Sequence, residues 1–220
     1  APLGALAAAS LRAMTAYLVV ASAATLFIAF ALAQPATVAA GLYYLPHSTF
    51  ATAALFLLID LVRRRRGPAQ DRLGAPMPLP HRALLGALFL VAAVLVSGLP
   101  PLSGFIGKFL LMAAVPEGAA TAWLWGLLLV TGLMVIVALA RAGSLVFWRG
   151  EPVAAAAAGA APHRLQLLAI GLLLGYGVAM TVAADPLLRY ARAAADQVLA
   201  PAGYIDQVRG TVPGLRAPSP

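Results

Sequence analysis

The sequence predicts an all-α membrane protein with five transmembrane helices, the third of them broken. Three observations lead there. Hydrophobic residues make up 62% of the chain and charged residues only 10%, where a soluble domain carries roughly a quarter charged residues. Five apolar segments reach the length of about 20 residues that a bilayer crossing needs. They are too long and continuous for barrel strands, which need about 10 alternating residues. The arginines cluster between these segments, as topology signals do.

Composition also excludes function classes. The net charge of +8 follows from those inter-segment arginines, so nucleic acid is not an expected partner, whereas the lipid bilayer is. Cysteine is absent, which rules out disulfides, thiolate metal sites and cysteine nucleophiles. No hydrolase triad, metal-ligand cluster or nucleotide loop is present, so neither an enzyme nor a cofactor is expected. The chain lacks an initiator Met and begins in an Ala-rich stretch, as expected of a fragment or a processed piece.

The first predicted helix runs over about 14–32 and ends before Gln34-Pro35. The second covers about 38–62. It is followed by "RRRRGPAQDRLGAPMPLPHR", basic and then Pro-rich, which reads as an aqueous loop. The third covers about 83–115, the fourth about 122–148 and the fifth about 165–184. Arg12, the arginine loop, Arg149 and Arg164 fall on one membrane side, while the opposite loops hold Gln34 and Glu117 but no Lys or Arg. The positive-inside rule puts the arginine side in the cytoplasm. The first helix is then entered from the cytoplasm, and residues 185–220 form an extracytoplasmic tail that opens with the weakly amphipathic "LLRYARAAADQVL" and lies along the surface or is poorly ordered. Trp123, Trp125 and Trp148 fit two interfacial belts. "VAAAAAGAAP", residues 153–162, reads as low-complexity loop.

The third segment is too long for one straight helix. From Arg82 to Val115 it would extend about 51 Å, against a hydrocarbon core of about 30 Å. Gly98, Pro100, Pro101 and Gly104 lie close together in "SGLPPLSGFIGKFLLM". Proline lacks an amide hydrogen and restricts its predecessor, so two half-helices joined by a non-helical stretch are expected, a device often found at transporter ion sites. Lys108, the only lysine in the chain, then falls in the first turn or so of the second half-helix. The positive end of that helix works against a fixed cation there. A lysine can lose and regain its proton where an arginine cannot, so Lys108 is a candidate proton carrier.

The second segment, "LYYLPHSTFATAALFLLID", places His47 near the middle of the bilayer, just after Pro46. An ionisable side chain at that depth marks a functional site, and histidine exchanges protons near neutral pH. Ser48, Thr49 and Thr52 can hold waters or bond to their own backbone. Tyr43 and Tyr44 belong either to an interfacial belt or to the same path. Asp60 is expected to balance Arg63 and Arg64, and Arg141 to snorkel or to pair with a carboxylate.

"AGLYYLPHSTFATAALFL", "RRRRG" and "GLPPLSGFIGKFLL", with "LRAMTAYLVVASAATLF" upstream, resemble the signature segments of the antiporter-like proton-translocating membrane subunits. That family includes the large subunits of Mrp-type cation/proton antiporters and related membrane subunits of respiratory complex I. The form here is most similar to the D-type subunits of the Mrp antiporters. The resemblance covers about residues 11–149. It implies that Lys108 and His47 are proton-relay residues, with Arg12, Ser48, Thr49, Tyr44 and Ser103 in relay or structural roles. Arg12 matches a position that is Lys in several relatives, and Ala51 stands where some carry a second basic residue. The chain would be the second half of a fourteen-helix subunit, supplying the last five helices. The glutamate–lysine pair of the first half is not in this chain, so this segment alone is not expected to transport.

The implied function is proton relay coupled to Na+ or K+ exchange, within a hetero-oligomeric antiporter in a bacterial inner membrane. The alternative is a proton-pumping subunit of complex I or of a membrane-bound hydrogenase. A third reading, a scaffold role, differs from both in not needing Lys108 to titrate.

Overall fold

A computed structural model describes residues 1–74, 79–148 and 164–201, with 205 and 208. Arg149 and the stretch 153–162 lie outside the described residues, as does most of the expected tail beyond 201. The described residues form eight α-helices: α1 (Pro2–Ala7), α2 (Leu11–Ala31), α3 (Pro35–Arg65), α4 (Arg82–Ser97), α5 (Ser103–Ala114), α6 (Thr121–Gly143), α7 (Arg164–Val182) and α8 (Ala184–Leu199). Four are long and apolar enough to cross a membrane: α2, α3, α6 with its continuation to Trp148, and α7. Helices α4 and α5 are apolar but shorter.

Helix α3 is the centre of the bundle, packing against α2, α4, α5, α7 and α8. Pro35 starts it at the first helical position, where a missing amide costs nothing. Pro46 then sits in its interior. Its ring removes one intrahelical bond, yet the helix runs on for 31 residues to Arg65. Packing explains this: Tyr43, Tyr44, His47, Ser48, Ala51, Ala54, Leu55, Leu58 and Ile59 are all buried, so neighbouring helices hold the backbone on either side of the proline.

The core extends from α3 through Leu11, Met14 and Leu18 of α2, Leu85, Phe89 and Leu95 of α4, and Val135 and Leu139 of α6. Helix α6 passes at Ser144 into a π-type turn that ends at Trp148. The turn brings Phe147 against Phe89 of α4, ring centroids 5.0 Å apart.

One end of the bundle is tied together by polar contacts between segments distant in sequence. Ser10 caps α2 by accepting from Ala13 N, and Ser10 and Arg72 form an isolated antiparallel bridge. Around it, Leu11 N donates to Asp71 O and Leu73 N to Ala9 O. The Arg12 backbone N–H and Nε both donate to Asp71 Oδ2 at 3.1 Å. Asp71 is buried; burial works against its charge, but the Arg12 hydrogen bonds outweigh this and hold its carboxyl below the usual 3.8. Arg66 is also buried and donates to the carbonyls of Gln70 and Arg72. Asp60 pairs with Arg63 and Arg64, as expected.

Arg141, expected to snorkel or to pair with a carboxylate, donates to the Leu6 carbonyl, just before the last residue of α1. The carbonyls at a helix C-terminus lack intrahelical partners, and a guanidinium satisfies one there. The stretch after 184, read from sequence as weakly amphipathic, forms the amphipathic helix α8, whose Ala191 and Ala195 are buried against Val38 and Ala39 near the start of α3. Small side chains allow that close approach.

Candidate functional site

The site forms where α4 stops and α5 begins. Helix α4 ends in a Schellman arrangement: Gly98 N donates to Leu95 O and Leu99 N to Val94 O. Gly98 takes φ +76°, the left-handed conformation that glycine adopts without a Cβ penalty. The chain then passes through Pro100 and Pro101, joined by a cis peptide, and α5 starts at Ser103.

Lys108 lies in the second turn of α5, slightly deeper than the first turn expected. Helical side chains lean toward their own N-terminus, so its chain runs back toward the end of α4. A Cβ on Gly98 would sit 2.9 Å from Lys108 Cδ, so glycine here serves both the turn and the lysine stem. Nζ donates to Ser97 O at 2.8 Å. The ammonium therefore faces the negative, carbonyl end of α4, as well as the positive end of its own helix. Only the second of these effects is visible in the sequence; near a helix C-terminus a cation is favoured.

His47 approaches the same break from α3. Its Nδ1 is 2.9 Å from Ser103 Oγ, and both residues are buried. Gly104 follows against the ring: a Cβ there would lie 2.8 Å from His47 Nε2 and 2.4 Å from Leu95 O. Tyr44, one turn earlier on α3, tilts over the imidazole at 5.4 Å between ring centroids.

His47 and Lys108 line one cavity of about 160 Å³, together with Tyr44, Ser48 and Thr52 of α3, Ser22 and Thr25 of α2, and Thr131 of α6. A water occupies about 10–15 Å³ on this measure, so several fit. Ser22 bonds to both Tyr44 Oη, at 3.0 Å, and Ser48 Oγ. Thr25, Thr52 and Thr131 each donate to the carbonyl four residues back, which leaves their oxygens as acceptors. Lys108 has two N–H donors beyond the one given to Ser97. The walls thus offer donors and acceptors at intervals, the arrangement a chain of waters needs.

Of the sequence-predicted residues, the fold brings Lys108, His47, Tyr44 and Ser48 to this cavity, with Ser103 behind the histidine. Thr49 bonds to Leu45 O instead, and Arg12 is engaged by Asp71 away from the cavity. Tyr43 donates to Met180 O of α7. Ser22, Thr25 and Thr131 were not anticipated. The available signal was hydroxyls in otherwise apolar segments, with Ser22 and Thr25 spaced to share a helix face.

Long apolar helices around a half-buried lysine and a buried histidine define a multi-pass membrane protein with ionisable groups between its helices. Residues 1–138 match the family model described as NADH:quinone oxidoreductase/Mrp antiporter, TM. The chain belongs to that family. It is 33% identical to the D component of a probable K(+)/H(+) antiporter of Rhizobium meliloti, over 94% of this chain and 43% of that protein. It is 30% identical to the D component of the Na(+)/H(+) antiporter of Alkalihalophilus pseudofirmus, over 78% of this chain and 34% of that one. It is also 37% identical to "NADH-quinone oxidoreductase subunit 14" of Thermus thermophilus, over 68% of this chain and 35% of the relative. A chain in the structure of the Mrp complex from Dietzia sp. shares the fold, with a TM-score of 0.78 at 24% identity, covering 94% of this chain and 46% of that one. The chain thus spans less than half the length of these relatives.

Proposed function

We propose that the chain forms the proton-relaying part of a D-type component in a multisubunit monovalent cation/proton antiporter. The carrying observation is the shared cavity: Lys108 and His47, on different helices, line one largely apolar space that also holds several hydroxyls. A proton taken up by His47 passes through cavity water to Lys108 and is released when the lysine returns to its neutral form. Proton movement in the native membrane complex is coupled to Na+ or K+ exchange. The antiporter reading is supported by the 94% coverage of this chain by the Rhizobium meliloti relative.

In this reading α4 and α5 together make one membrane crossing broken at depth, the third of five. The polar backbone of the break is held by the Gly98 turn and by Lys108, which donates to the Ser97 carbonyl. The end carrying Arg12, Arg66, Arg72 and Arg141 faces the cytoplasm. Helix α8 packs at the opposite end of α3 from Arg63–Arg65, which supports an extracytoplasmic C-terminal tail. A second reading, the same relay in a quinone-reductase complex, is favoured by the Thermus thermophilus relative.

The test is cation/proton exchange by the native complex in inverted membrane vesicles, followed with a pH-sensitive dye. Lys108→Ala abolishes exchange and His47→Ala reduces it at least tenfold, with the complex still assembled. Wild-type rates in both variants overturn the proposal. A complex that pumps protons only with NADH and quinone selects the second reading.

A further inference from the structure

We propose that Ser103 is a positioning residue for His47: it accepts a hydrogen bond from Nδ1–H, holding the neutral ring with its Nε2 lone pair free to exchange protons. The proposal rests on the relay reading of His47.

Ser103 stands at the first position of α5, where a serine commonly bonds to its own helix start. The cap position itself is held by Leu102, whose side chain cannot accept a hydrogen bond. The Ser103 hydroxyl reaches across the helix interface to His47 Nδ1, 2.9 Å away. Ser103 is 0% exposed and His47 2%, so this bond is the fixed partner that each side chain has in the described structure. Nε2 has no hydrogen-bond partner among the described residues, and His47 is part of the cavity lining. The ring is flanked by Gly104, where a Cβ would stand 2.8 Å from Nε2 itself, so that only glycine leaves space beside this nitrogen, and by the tilted ring of Tyr44.

The chemistry explains why a hydroxyl suits this place. In the neutral ring Nδ1–H donates to Ser103 Oγ and Nε2 carries a lone pair. A protonated cavity water gives its proton to Nε2, producing an imidazolium whose Nδ1–H still donates to Ser103. The same Nε2 proton then leaves to a second water, and the neutral ring returns. The Ser103 bond survives both states. A carboxylate there would hold the ring in its charged form, and an apolar side chain would let the tautomers interchange. Nothing is consumed: one proton enters and one leaves at the same nitrogen.

Other groups titrate nearby and enter any pH profile. Lys108 faces the ring from α5, Tyr43 and Tyr44 lie on its own helix, and Tyr176 of α7 lies near Tyr43. The polar residues that helices α2 and α6 bring to the cavity, Ser22, Thr25 and Thr131, are hydroxyls.

The experiment uses the native complex in vesicles. Ser103→Ala is smaller than serine and leaves assembly, checked on native gels, unchanged. Its exchange rate falls roughly 10- to 100-fold, the size of a lost hydrogen bond to a charged group, and the midpoint of its pH profile moves. Ser103→Thr, which keeps the hydroxyl, restores the wild-type midpoint. Independently of any variant at 103, the 15N-histidine difference spectrum between wild-type and His47→Gln complexes shows the neutral ring protonated at Nδ1. A Ser103→Ala profile superposing on wild type, or a neutral ring protonated at Nε2, overturns the assignment. If His47→Ala itself exchanges at the wild-type rate, the relay reading fails instead.

Discussion

Gly104→Ala tests the geometry of the helix break with the smallest possible perturbation, one methyl group. The new Cβ would stand 2.4 Å from the Leu95 carbonyl oxygen and 2.8 Å from His47 Nε2. Ordinary contact begins at 3.4 Å, so the shortfall is about 1 Å against a backbone atom that cannot rotate away. Relief requires the end of α4 and the start of α5 to separate, or His47 to leave Ser103. Overpacking of this kind costs about 1–3 kcal/mol, and a displacement of about 1 Å at a reacting group can cost two orders of magnitude in rate. The assay is dye-monitored exchange in vesicles beside thermal stability of the purified complex. Gly126→Ala on α6 is the control, because nothing lies within 4 Å of its added Cβ. Gly104→Ala is expected to lower both stability and exchange, and Gly126→Ala neither. Equal behaviour of the two variants would refute the claim that the half-helices meet this closely at His47.

Two predictions concern the arginine-bearing end. Asp71→Asn weakens the tie between α2 and the loop after α3, costing about 1–2 kcal/mol, the low end for hydrogen bonds to a charged group because Arg12 is partly solvated. Since the folded Asp71 carboxyl is held below its ordinary 3.8, this stabilisation is present above about pH 4 and is lost as pH falls through the folded value. Thermal melts of variant and wild type should therefore converge on acidification; a difference that widens in acid contradicts the pairing. Arg66→Ala should destabilise more than Arg64→Ala. Arg66 is buried and satisfies two carbonyls, whereas Arg64 makes an exposed i,i+4 pair worth less than about 1 kcal/mol. Equal melting temperatures would show that the loop carbonyls find water instead.

The sequence made legible what local rules govern. Helix-length apolar runs marked most of the helices, the cluster from Gly98 to Gly104 marked where helix stops and restarts, and the lone Lys108 and mid-helix His47 announced an ionisable interior. Other features depend on distance rather than pattern. No local rule joins Arg12 to Asp71, 59 residues away, or buries Arg66 beneath its own loop. Pro46 argues locally for an interruption, but tertiary packing carries α3 through it. The acceptor of Lys108 is a backbone carbonyl, which leaves no trace in sequence, so the favourable end of α4 could not be weighed against the unfavourable end of α5. Helix α8 showed in the sequence only as a weakly amphipathic stretch, because its polar content gives it no membrane-span signal; its packing partner, the start of α3 at Val38 and Ala39, leaves no local trace.

Lys108→Arg in the native complex tests the central claim most directly. Arginine keeps the positive charge, much of the volume and a donor for the Ser97 carbonyl, but it stays protonated throughout the cycle. If Lys108 works by alternating between charged and neutral forms, the variant assembles normally and its cation/proton exchange in vesicles falls close to that of Lys108→Ala. Exchange at the wild-type rate would show that a fixed charge suffices at this position, and the proton would have to cross by His47 and water alone.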